Sequence, residues 1–159
     1  MIPPAETAKE TRGNRRSASR LAAVQALYQI EFGGGEPDVV IEEFVDRRLG
    51  AEVDGDRYAD ADADFFRAVV RGGAGRSVEV AALLDDALGP ERTPQRLDGI
   101  LRALLRAATF ELLGRKDVPA RVVLDEYLDV AHAFFSGPEP KLVNGVLDAL
   151  AHRLRPDEF

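Results

Sequence analysis

The sequence has no cysteine and only two histidines among its 159 residues. Without cysteine there can be no disulfide, no thiolate zinc site and no cysteine nucleophile. A reducing compartment suits such a chain. The first eleven residues hold no apolar segment of the kind a secretory signal needs. No apolar run is long enough to span a bilayer. Sustained period-two alternation, hairpin signals and internal repeats are also missing. A soluble, cytoplasmic protein without membrane association is therefore expected. A length of 159 residues suits one domain or two small packed subdomains.

Charge is present in excess of one sign, with one local exception. The formal net charge is −7. Residues 1–30 nevertheless hold five Lys and Arg against two Asp and Glu, so they carry +3 and the remainder carries −10. Four arginines (Arg12, Arg15, Arg16 and Arg20) fall within nine positions that contain no acid. A basic segment on an acidic body points to a polyanion such as RNA or DNA. A solubilising N-terminal arm explains the charge equally well.

Hydrophobic periodicity predicts an all-α fold. Residues 1–13, with Pro3, Pro4 and Gly13, are expected as a mobile tail, and Asn14 or Ser17 as the first cap. Leu21, Val24 and Tyr28 recur at helical spacing, and Gly33-Gly34-Gly35 ends that helix. Pro37 opens a second helix, with Val40, Ile41, Phe44, Val45 and Leu49 on its apolar face. Residues 50–64 are acidic and expected as a loop. Phe65, Phe66, Val69 and Val70 then begin a helix that Gly72-Gly73-Ala74-Gly75 kinks or divides, and Gly89-Pro90 ends. Thr93-Pro94 predicts the start of the most apolar helix, carrying Leu97, Ile100, Leu101, Leu104, Leu105, Ala108 and Leu112 up to Gly114. Asp117 and Pro119 introduce another, and Ser136-Gly137-Pro138 separates it from a last helix closed by Pro156. The expected architecture is a compact bundle of about seven helices. It comprises one domain over 14–154, with subdomains at about 14–88 and 93–154, and a C-terminal tail at 155–159.

Candidates for chemistry are few. Arg71-Gly72-Gly73-Ala74-Gly75-Arg76-Ser77 lacks the Gly-Lys-Ser/Thr ending of a phosphate loop, and no strand precedes it. Asp129 and His132 form one acid-x-x-His pair, but a di-metal bundle needs a second. Asp85-Asp86, Glu42-Glu43 and Asp125-Glu126 are sequence neighbours that point in different directions on a helix. No catalytic serine arrangement is present, so neither an enzyme nor a cofactor is expected. Lys141-Leu142-Val143-Asn144-Gly145 differs. Lys141 gains nothing from the dipole at a helix start, and Asn144 and Gly145 are poor helix formers. Either Gly145 admits a close helix, or Lys141 and Asn144 face a ligand at the expense of local propensity.

Four motifs in order give a resemblance. Ala23-Val24-Gln25-Ala26-Leu27-Tyr28 after the arginines is the first, and Leu104-Leu105-Arg106-Ala107-Ala108-Thr109-Phe110-Glu111-Leu112 the second. Asp117-Val118-Pro119 followed by Val122-Val123-Leu124-Asp125-Glu126, and Val143-Asn144-Gly145-Val146-Leu147-Asp148, complete the set. From about residue 14 to 154 the chain resembles the bacterial transcription antitermination factor NusB family. The resemblance implies two packed helical subdomains and binding of boxA-type RNA in ribosomal RNA transcripts. It also implies pairing with NusE, a small-subunit ribosomal protein, and through it indirect association with RNA polymerase and other Nus factors. By motif position Arg15, Arg16, Arg20, Gln25 and Tyr28 belong to the RNA side, joined by Lys141 and Asn144, which are expected close to Arg16 and Arg20 in space. Arg102, Arg106 and Glu111 belong to the partner side, although buried pairing also explains Arg106 and Glu111.

The chain departs from the family pattern at several points. Leu142 stands where an aromatic is frequent, Asp125 where Asn is common and His132 where Lys is common, and Ser17-Ala18-Ser19 interrupt the arginines. The sequence leaves open a homodimer that buries the RNA face. Two alternative functions are the NusB-like RNA-binding domain of a ribosomal RNA cytosine-5 methyltransferase and a purely protein-binding helical scaffold.

Overall fold

Seven residues at helical spacing make the stretch before Gly114 the natural centre of the molecule, and the fold is built around it. In the computed structural model, which describes residues 8–49, 52–53, 56–57, 61–90 and 97–159, this helix is α5, Gly99–Gly114. Leu101, Leu104, Leu105, Ala108 and Leu112 are buried along it. It packs against α1 (Ala8–Gly33), α3 (Ala63–Gly75), α4 (Ser77–Leu88), α6 (Ala120–Phe134) and α7 (Glu139–Leu154). The remaining helix, α2 (Pro37–Arg47), lies on α1 and α3. Among the described residues there are thus seven α-helices around one continuous apolar core. The all-α expectation holds.

Most boundaries follow the punctuation in the sequence. Gly34 takes φ +72° just past α1, a conformation that glycine adopts without steric cost. Pro37 occupies the first turn of α2, where its missing N–H is no loss. Asp62 caps α3 by accepting from the Phe65 N–H at 3.0 Å. The glycine run divides rather than kinks its helix: α3 ends at Gly75 and α4 begins at Ser77.

Four expectations need correction. Helix α1 begins at Ala8, so residues 8–13 are not a tail and Asn14 and Ser17 lie inside the helix rather than capping it. A long helix extends by propagation once packed, and Gly13 costs only about 1 kcal/mol. The Thr93-Pro94 start falls outside the described residues. The helix after it is capped instead by Asp98, which accepts from the Ile100 and Leu101 N–H groups at 2.8 and 3.3 Å. The acidic loop contains a minimal antiparallel ladder, β1 (Glu52–Val53) with β2 (Asp56–Arg57). Asp54-Gly55 between them in sequence is a pair that favours hairpin turns.

Residues 155–159 are also no tail. Pro156–Glu158 form a 3-10 turn, and Arg155 is buried. Its guanidinium donates to the carbonyls of Glu111, Leu112, Arg115 and Val118 at 2.8–3.0 Å. The free carbonyls at the end of α5 thereby find a buried cation. This contact also orients α7: its C-terminal end sits against the C-terminal end of α5.

Candidate nucleic-acid interface

The arginine series lies on the first half of α1, and α3 is fastened to it through backbone groups. Ser19 Oγ is 2.7 Å from the Asp62 carbonyl and 3.0 Å from that of Arg15, and the Asp62 N–H donates to the Arg15 carbonyl at 3.3 Å. Ser19 is fully buried. The serine that interrupts the arginines thus fixes the entry of α3, which brings the Phe65 ring beneath the arginine side chains.

The arginines then divide by environment. Arg20 is buried, with 2% of its side chain exposed, and Glu111 with none. Arg20 Nε and Nη2 donate to the two Glu111 carboxylate oxygens at 2.9 and 3.0 Å. Burial alone would lower the Arg20 pKa, but the Glu111 hydrogen bond and charge outweigh it and the net shift is upward. Arg20 therefore does not face RNA and Glu111 does not face a partner. Each neutralises the other inside the core, which corrects both assignments. Burial first, and then the Glu111 charge, push the neighbouring Tyr127 hydroxyl well above its usual range.

Arg15 is exposed and Arg16 is partly so. The Arg16 guanidinium stands 4.7 Å over the Phe65 ring centroid, with its Nε 3.8 Å from Asp62. Ser17 Oγ donates to Glu126 of α6 at 2.7 Å, which occupies a carboxylate beside the arginines. Arg115 reaches the same Phe65 ring from the end of α5, at 5.1 Å. The sequence pattern did not single out Arg115. Its signal was the adjacent pair Arg115-Lys116 directly after the glycine stop.

Gln25 and Tyr28 lie at the other end of α1. Gly99 makes the approach there close: a Cβ on it would stand within 3.0 Å of the Tyr28 and Phe32 rings. Those two rings are 4.8 Å apart, tilted by 37°, and 39% and 51% exposed. With Gln25, Gln29, Arg48, Ile100 and Phe134 they line an open cleft of about 520 Å³. Exposed aromatic faces beside amide groups suit the stacking and edge recognition of unpaired bases. Phe32 and Phe134 did not emerge from the sequence because aromatic residues at helical spacing read as core, and Arg48 because an arginine at a helix end carries no motif by itself.

Lys141 and Asn144 are exposed on the first turns of α7. They are not beside Arg16 and Arg20. Arg155 sits at the Glu111–Arg115 end of α5, and Lys141 precedes it by fourteen residues, about 20 Å along the helix. The expected composite of arginines with Lys141 and Asn144 is therefore overturned. These two residues belong to the same end of the bundle as Tyr28, where Phe134 at the close of α6 leads into α7. Leu142 is half-buried and lines, with Leu88, Gly145 and Val146, a second cleft of about 580 Å³. Among the described residues no atom lies within 4 Å of a Cβ placed on Gly145, so they give the close-packing explanation for this glycine no support.

Arg102 and Arg106 converge on Glu31 at 2.6 and 3.3 Å, with 15% and 21% of their side chains exposed. Among the described residues no group of His, Asp and Glu could hold a metal ion, and His132 is exposed. No helix among them is long and apolar enough to cross a membrane.

Comparison with known proteins gives one consistent result. The NusB family model matches residues 17–152. The transcription antitermination protein NusB of Nitrobacter hamburgensis is 53% identical over 150 residues, covering 94% of each chain. That of Maricaulis maris is 49% identical over 154 residues, covering 97% of this chain and 96% of its own. Among solved structures, NusB of T. maritima superposes with a TM-score of 0.73 at 30% identity, over 90% of this chain and 94% of that one. A chain from a crystal structure of antitermination factors NusB and NusE with dsRNA reaches 0.71 at 21% identity, covering 87% of this chain and 97% of its own, and shares the fold.

Proposed function

The chain belongs to the NusB family, and on that premise we propose that it is an RNA-binding transcription antitermination factor. It binds boxA-type single-stranded RNA of ribosomal transcripts together with NusE, and through that pair associates indirectly with RNA polymerase and other Nus factors. The observation that carries this reading is the near end-to-end identity, at about half of all positions, to proteins named for antitermination. The surface supports it by chemistry: guanidinium groups for phosphates at one end of α1 and exposed aromatic rings for bases at the other.

Arg15 and Arg16 are proposed to hold the backbone, Gln25 and Tyr28 to contact bases, and Lys141 and Asn144 to extend that second patch. Arg102 and Arg106, partly exposed around Glu31, are proposed to face the protein partner. The chain acts by binding, without a catalytic step. A methyltransferase RNA-binding domain is disfavoured, since the relative matched over 94% of its own length carries the antitermination name. The test is a titration of boxA-type and scrambled RNA, with and without NusE. Preferential binding of boxA, tightened by NusE, is expected. Equal affinity for both RNAs under both conditions would sink the reading.

A further inference from the structure

We propose that Arg115 and Lys116, at the end of α5, complete the arginine patch of α1 into one site for the backbone phosphates of single-stranded RNA. The inference rests on the RNA-binding reading above and adds to it two residues nearly a hundred positions away in sequence.

One ring organises the site. The guanidiniums of Arg16 and Arg115 stand 4.7 and 5.1 Å from the Phe65 centroid, so their central carbons are at most about 10 Å apart. Buried Arg20 packs on the same ring at 4.8 Å, but its donors are committed to Glu111. Attraction between each cation and the ring face offsets the mutual repulsion of the arginines. Side chains held in this way lose little further freedom when an anion arrives. Arg16 Nε is buried 3.8 Å from Asp62, so the terminal nitrogens of its partly exposed guanidinium are the groups left to meet a phosphate. Its charge is also felt at Asp117, whose carboxyl is held below the usual range mainly by Arg115 and to a smaller degree by Arg16.

Three acids beside the site, Asp62, Glu126 and Asp117, are already engaged. Asp62 Oδ1 caps α3. Glu126 accepts from Ser17 and lies 3.9 Å from Arg20. Asp117 pairs with Arg115 at 2.9 and 3.0 Å in an exposed pair two residues apart. Such a pair is worth at most about 1 kcal/mol, so a phosphate can replace the carboxylate at little cost. The negative end of the α5 dipole would oppose a phosphate, but Arg155 occupies its carbonyls. Lys116 beside it is exposed and supplies a further cation.

The test is a salt titration of a short single-stranded boxA-type RNA against the full chain and its Arg16→Gln, Arg115→Gln, Lys116→Gln and Asp117→Asn variants. Each phosphate left without its neutralising cation should lower the slope of log affinity against log salt by about 0.7. Arg115→Gln should weaken binding several-fold and lower the slope by that amount, and Asp117→Asn should tighten binding by freeing Arg115. Should Arg115→Gln unfold, Arg115→Lys, which keeps the charge, should retain the wild-type slope while Lys116→Gln lowers it. Wild-type affinity and slope in Arg115→Gln, alongside a clear weakening in Arg16→Gln, would overturn this inference and leave the RNA reading standing. No binding by the unmodified chain at any salt, with or without NusE, would overturn both.

Discussion

Arg20 and Glu111, ninety-one residues apart, meet in the core as a two-point ion pair, with Arg20 Nε and Nη2 at 2.9 and 3.0 Å from the carboxylate oxygens. The pair joins α1 to the end of α5. Removing one partner leaves an uncompensated buried charge, which costs about 3–5 kcal/mol, whereas replacing both by apolar residues of similar volume is often close to neutral. Arg20→Met and Glu111→Leu should each lower the denaturant midpoint sharply, and the double variant should recover most of the stability. Any fall in RNA binding by Arg20→Met should track the unfolded fraction. A stable Arg20→Met protein with weakened RNA binding would return Arg20 to the surface.

Tyr28 is expected to contribute through its ring. Tyr28→Ala should weaken boxA-type RNA binding by about 1–3 kcal/mol, the range for one stacked base, while Tyr28→Phe retains most of the affinity. Thermal unfolding should separate this from a folding defect, because the ring is 39% exposed. Equal weakening by both variants would assign the effect to the hydroxyl instead.

Lys141 and Arg16 sit at opposite ends of the bundle, and their contributions to RNA binding should be independent. Distant sites without shared partners add to within about 0.3–0.5 kcal/mol. A double-mutant cycle with Arg16→Gln and Lys141→Gln, read by RNA titration, should show no coupling beyond that. A larger coupling energy would restore the single composite patch that the fold contradicts.

Glu158 provides a pH dependence of stability. Its carboxylate accepts from the Ala120 N–H at 2.9 Å and from Arg155 at 2.8 Å, and in that order these hold its pKa below the usual value. An unfolded glutamate titrates near 4.3. Because the folded value is lower, the stabilisation is fully present above about pH 5 and disappears as pH falls through the folded pKa. Melting curves of wild type and Glu158→Gln should differ at neutral pH and converge in acid. A constant gap across that range would remove the carboxylate from the account.

The helices and the family are legible in the residues alone. Apolar residues at helical spacing mark most of the core, although Tyr28 of the α1 series lies at the surface and Leu27 takes its place inside. Gly34, Pro37, Gly89 and Gly114 placed boundaries, because glycine and proline act through the local backbone alone. The arginine series and the four ordered motifs pointed to RNA. Which charges face solvent depends on how the helices pack. Arg16 and Arg20 lie four residues apart on one helix and look alike in sequence, but Glu111 takes Arg20 into the core and leaves Arg16 at the surface. Arg155, placed by sequence in a tail, proves to be the buried cap of α5. Lys141 and Asn144 lie at the start of a helix, as their sequence context predicts, yet the parallel packing of α7 on α5 carries them away from the arginines. Burial and the direction of packing come from contacts between distant segments, and local propensity carries no record of them.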